Sequence, residues 1–104
     1  MWHTHLVHLS RIDRNTIGVR IDDIFLSLCE LIFQASFAAE RLEKLSIVSR
    51  AITKSDILKF LLQIAWEGKV LDHKLYGTLL LDLDEIGRML GGWKRTLVNK
   101  PPVR

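Results

Sequence analysis

Two prolines in 104 residues, both at the extreme C-terminus, leave nothing before Pro101 to interrupt a helix. A single cysteine, Cys29, excludes an intramolecular disulfide and fits a reducing compartment. No long apolar run is present, because the richest one, residues 57–66, is broken by Lys59 and Gln63 and falls short of a membrane span. Met1-Trp2-His3-Thr4-His5 has neither the basic start nor the apolar centre of a signal peptide, so the expectation is a soluble, cytoplasmic protein. The chain also lacks Gly-x-Ser-x-Gly, a phosphate-cradling glycine loop and His-Glu-x-x-His. With no such constellation, no enzyme, cofactor, metal or small-molecule substrate is expected.

What is present is the composition of an ordinary globular domain, 48% hydrophobic and 26% charged. A chain of this length folds as one unit that buries roughly 65% of its unfolded surface. The net charge of +3 is unevenly spread. Residues 1–20 sum to +2, residues 21–85 to −4, and residues 86–104 to +5, with no acid after Glu85. Positive charge therefore collects at the chain ends, above all the C-terminal one.

The run Asp84-Glu85-Ile86-Gly87-Arg88-Met89-Leu90-Gly91-Gly92-Trp93 sets three glycines on an apolar stripe at helical spacing. In a helix interior each costs about 1 kcal/mol relative to alanine, roughly 3 kcal/mol together. Gly87 and Gly91 stand one turn apart, as in small-xxx-small faces that admit another backbone. Gly87, Gly91, Gly92 and Trp93 are accordingly expected to serve close helix packing or assembly.

Apolar residues at Ile17, Ile21, Ile24, Leu28, Leu31 and Ala35 predict a helix over about 16–38, capped by Asn15 or Thr16, with Asp22 and Asp23 in its first two turns. Cys29, between Leu28 and Leu31, reads as a buried structural thiol. A second pattern runs through Leu45, Val48, Ile52, Leu58, Leu61, Leu62 and Ala65 to a stop at Gly68. Its polar patch, Thr53, Ser55 and Asp56, allows either one long helix or a break with a new cap. The third pattern opens after Asp72 and runs Leu75, Leu79, Leu83, Ile86, Leu90 and Trp93. No stretch alternates with period two, so the expected class is all-α. Short connections near 38–40 and 70–73 make the neighbouring helices antiparallel, an up-down bundle of three long helices plus a short N-terminal one within residues 2–9. Residues 1–95 form the domain, and residues 96–104 a disordered basic tail.

Antiparallel order brings Arg11, Arg14 and Arg20 toward Lys69 and Lys74, and brings Arg88, Lys94 and Arg95 toward Arg41 and Lys44. Arginine and lysine beside an aromatic, as in Trp93-Lys94-Arg95, suit phosphate neutralisation and base stacking, but a core tryptophan beside a solvated surface explains them too. Trp66 and Tyr76 read as core or interface residues. His3, His5 and His8 match a metal cluster in count only, with no accompanying ligand spacing, and read as a solvated terminus. Asp82, Asp84 and Glu85 read as a solvated helix face.

The stretch Leu83-Asp84-Glu85-Ile86-Gly87-Arg88-Met89-Leu90-Gly91-Gly92-Trp93 resembles the C-terminal signature of the accessory variability determinant (Avd) proteins of diversity-generating retroelements, members of a wider class of bacterial four-helix-bundle proteins. Arg14-Asn15-Thr16-Ile17-Gly18 with Arg20-Ile21 resembles that family's Arg-aromatic-Thr-Leu-Gly segment, and Leu58-Lys59-Phe60 through Trp66, then Tyr76, falls where the family has a helix and the start of its last helix. The likeness spans roughly residues 9–95. Asn15 replaces the family's aromatic, Arg11-Ile12-Asp13 replaces a Pro-Lys pair, and the N-terminal segment is shorter than the family's first helix. The resemblance implies a basic bundle that forms a ring-like homo-oligomer, a pentamer in Avd proteins. It also implies binding to a reverse transcriptase and its template RNA or RNA/DNA hybrid, in support of mutagenic copying. Arg14, Arg20, Arg88, Lys94 and Arg95 are the candidate phosphate contacts. A protein-binding scaffold, or a bundle of the kind encoded within ribosomal-RNA intervening sequences, is the alternative.

Overall fold

A computed structural model describes residues 14–99. The short helix expected within residues 2–9 and the three N-terminal histidines lie outside the described residues. Three helices follow one another, α1 (Arg14–Phe37), α2 (Arg41–Glu67) and α3 (His73–Val98), and no strand occurs among the described residues. All three carry their buried side chains at alternating spacings of three and four. On α1 these are Ile17, Ile24, Leu28, Leu31 and Ala35, and on α2 Val48, Ala51, Ser55, Leu58, Leu62 and Ala65. On α3 the buried Leu83, Leu90 and Leu97 alternate with the half-buried Tyr76, Leu79, Ile86 and Trp93. This is the seam of helices packed at shallow angles, and each fully buried leucine contributes about 1.5–3 kcal/mol.

α2 is the central rod, with α1 and α3 each packed along it while the backbones of α1 and α3 stay apart. Both connections reverse the chain. Ile17 at the start of α1 packs on Ile64 and Ala65 at the end of α2, and Arg41 at the start of α2 reaches Leu97 at the end of α3. The helices are therefore antiparallel. Among the described residues no helix is long and apolar enough to cross a membrane.

The helix ends refine the sequence expectations. α1 already runs at Arg14, so Asn15 and Thr16 lie in its first turn instead of capping it, and Asp22 and Asp23 fall one turn deeper than expected. α2 passes unbroken through the polar patch. Thr53 stays compatible with the helix by turning its hydroxyl onto the Ser49 carbonyl at 3.3 Å, and Ser55 occupies a seam position that a break would pull out of register. Gly68 follows α2 as foreseen, but the left-handed residue is Lys69, with φ 63°. The Lys69 amide donates to the Trp66 carbonyl at 3.0 Å and the Val70 amide to the Ala65 carbonyl at 2.8 Å, a Schellman ending with lysine where glycine is usual. Asp72 caps α3 by accepting from the Leu75 amide at 2.7 Å.

Three expectations are corrected. Cys29 is exposed, because at 100° per residue it is turned a full step away from Leu28 and the seam. Leu75 is exposed and the α3 seam begins at Tyr76, which stacks on Trp66 at 4.8 Å with rings 9° from parallel. Residues 96–98 belong to the bundle and not to a tail, since α3 continues through Val98 and buries Leu97.

Candidate nucleic-acid interface

Three of the four lysines and arginines of α3 stand on the last half of the helix, where no acid follows Glu85; the fourth, Lys74, is in its first turn. Arg88, Lys94 and Arg95 are all exposed and form no ion pair among the described residues. Arg88 and Arg95, two turns apart, line a groove of about 590 Å³ between α2 and α3, together with Ser55 and Lys59 of α2 and Gly87 and Gly91 of α3. Two acids share it. Asp84 accepts from the Lys59 ammonium at 3.3 Å and Asp56 lies on the α2 side. The Lys59–Asp84 pair is 31% and 46% exposed, so it adds under about 1 kcal/mol and mainly cancels one charge of each sign.

The other expected contacts are divided by the fold. Arg20 lies beside Leu61 and Ile64 toward the opposite end of α2, with Asp23 in the same shallow pocket. It does not share the α2/α3 groove. The Arg14 side chain and Arg11 lie outside the described residues. Arg41 and Lys44 do come to the end of the bundle that holds the C-terminus of α3, yet both are engaged there. The Arg41 guanidinium donates to the Leu97 carbonyl at 2.7 Å, satisfying one of the carbonyls that the last helical turn leaves open, and the Lys44 ammonium sits 5.9 Å from the centre of the Trp93 ring. Trp93 is half-buried against the core.

The glycines behave differently from the expectation of close helix packing. A Cβ placed on Gly91 would meet nothing within 4 Å, one on Gly87 would meet only the Lys59 Nζ at 3.9 Å, and one on Gly92 only the Arg95 guanidinium at 3.7 Å. Among the described residues no second backbone comes close to any of them. Gly87 and Gly91 instead line the wall of the α2/α3 groove, and Gly92 does not.

Two features escaped the sequence reading. Val19, Leu26, Phe33 and Phe37 form an exposed apolar ridge on the side of α1 opposite its seam, with Phe33 65% and Phe37 74% exposed and their rings 4.8 Å apart. Val19, Leu26 and Phe33 repeat every seven residues and Phe37 follows four later, a second stripe distinct from that of the core. The second is Ser55, read as a possible helix breaker, which is 1% exposed and whose Oγ has no hydrogen-bond partner. Its place in the three-four repeat between Ala51 and Leu58 was the available signal.

Asp82 and Glu85 border a different groove, of about 600 Å³, where Ile21 and Phe25 of α1 face Leu79 and Met89 of α3 across Leu58 and Leu62. Asp22 is on the same rim, so this apolar groove has an acidic edge. Among the described residues no three His, Cys, Asp or Glu side chains converge as for a metal ion. In comparisons with family models, curated proteins and solved structures, the chain matches none.

Proposed function

We propose that this protein is a non-enzymatic accessory factor of a diversity-generating retroelement. In this reading a helical bundle completed by a short N-terminal helix assembles in the cytoplasm into a homo-oligomer, a pentamer by its resemblance to Avd proteins. It binds the reverse transcriptase and its template RNA or RNA/DNA hybrid. The observation that carries the reading is the exposed, unpaired set Arg88, Lys94 and Arg95 on one half of α3, beyond the last acid of the chain. Arg14 and Arg20 add phosphate contacts from the other end. Assembly is supported by the apolar ridge of α1, since a helix with apolar side chains on two opposite faces covers both in its working state.

Displaced counterions make such binding salt-dependent. With the five phosphate contacts of Arg14, Arg20, Arg88, Lys94 and Arg95 on a single strand, log affinity falls against log salt with a slope of about −3.5. Binding by the folded protein that ignores salt, or no binding at all, refutes the reading.

A second reading, a scaffold for another protein, is favoured by the apolar groove between α1 and α3. The Lys94→Glu, Arg95→Glu double variant separates the two. RNA affinity collapses under the first, and protein binding persists under the second.

A further inference from the structure

The glycine stripe and Ser55 are two costs that the chain itself does not offset. Glycines 87 and 91 weaken α3 without admitting a second backbone, and a buried hydroxyl without a partner loses its hydration for no bond in return. Ser36, Thr53, Thr78 and Thr96 each turn their hydroxyl onto the carbonyl four residues back, whereas Ser55 does not. Both costs meet in one place, because Ser55 lines the same groove as Gly87, Gly91, Arg88 and Arg95.

We propose that this α2/α3 groove is the seat of one phosphate group of a nucleic-acid backbone, with Arg88 and Arg95 as the outer cations and the Ser55 hydroxyl as the inner donor. The proposal rests on the reading that the partner is a polyanion, and it assigns a place and a geometry to that contact. Charge supports it. Lys59 and Asp84 cancel, and Arg88 and Arg95 against Asp56 leave a single positive charge, which matches one phosphodiester. Glycine is the right residue for the wall, because any side chain at 87 or 91 projects into the space that the phosphate takes. Ser55 lines the groove, and its hydroxyl holds no other bond that a phosphate oxygen would have to displace.

The test uses the full-length protein and a labelled single-stranded RNA of about twelve nucleotides, followed by fluorescence anisotropy, with Gly77→Ala as a control on the same helix. Gly77 also has open space where a Cβ would be, and it does not line the groove. Ser55→Ala and the Gly87→Ala, Gly91→Ala double variant are expected to weaken RNA binding by about five- to tenfold, a loss on the scale of one charge-assisted hydrogen bond, while Gly77→Ala binds as the wild type does. Thermal unfolding checks that the weakened variants are at least as stable as the wild type, so that the loss is not unfolding.

If both variants bind RNA normally while Lys94→Glu, Arg95→Glu abolishes binding, the groove proposal is overturned and the broader reading stands. If the wild type ignores RNA but inorganic phosphate shifts the backbone amide resonances of Ser55 and Gly91, the seat is supported as one for free phosphate and the RNA reading falls. If the glycine variants dissociate an oligomer and leave RNA binding per protomer intact, the groove is a contact between copies and the proposal is overturned.

Discussion

Gly91→Ala should stabilise the fold, and its size follows from the geometry. An alanine methyl there meets nothing within 4 Å, so it introduces no clash and buries no new surface. What remains is the backbone term: alanine in a helix interior is favoured over glycine by about 0.8–1.0 kcal/mol, largely because the unfolded chain has fewer states to lose. For a domain of this size that is a rise in Tm of about 4–8 °C. Gly77→Ala provides the internal standard, since it too lies within α3 and faces open space. The two variants should therefore gain equally.

Urea unfolding followed by circular dichroism measures both, with the slope unchanged from wild type. Repeating it across about a tenfold range of protein concentration matters, because any assembly makes apparent stability concentration-dependent. Equal gains at low concentration confirm that the chain itself leaves Gly91 unused. A loss of stability for Gly91→Ala there, beside a gain for Gly77→Ala, would refute the argument, because something within the protomer would then need the missing Cβ.

Three further substitutions probe the helix ends that hold the groove in place. Lys69→Gly relieves a left-handed lysine at the end of α2 and should raise stability by about 1 kcal/mol, read as a shift in the urea midpoint. Asp72→Ala removes the cap on the Leu75 amide and should lower stability by about 1 kcal/mol in the same assay. Arg41→Ala removes the bond to the Leu97 carbonyl but also a cation from the unfavourable N-terminus of α2, so the net loss should be about 1 kcal/mol, with amide exchange in the last turn of α3 speeding up most.

The antiparallel order and the seams were legible because each depends on local periodicity and loop length. Tyr76 to Trp93 repeats at three and four residues, and no proline intervenes. Cys29 is exposed despite its apolar neighbours in sequence, because adjacent helical residues point 100° apart. The ridge of α1 was obscured for another reason. Its phenylalanines make the helix apolar on more than one side, and a search for a single stripe stops at the stronger one. The fate of the glycines could not be read from the chain at all. The same small-xxx-small spacing describes a wall pressed on another helix and a wall left open, and only the position of α2 distinguishes them.

That position also divides α3 lengthwise. With roughly 100° between residues, Gly87, Gly91, Arg88 and Arg95 fall on one flank of the seam, and Asp82 and Met89 fall on the other. The first flank, apart from the paired Asp84, is cationic. The second faces α1 across apolar side chains rimmed by Asp22, Asp82 and Glu85. A helix is about 10 Å across, close to one Debye length at ~0.1 M salt, so each flank keeps its own field. In the proposed reading a polyanion favours the glycine side over the acid-rimmed apolar side. A protein partner with a basic, amphipathic surface meets the reverse preference. If RNA and a polymerase both bind this bundle, they have no need to compete, because the one helix that carries the seam also sorts them by charge.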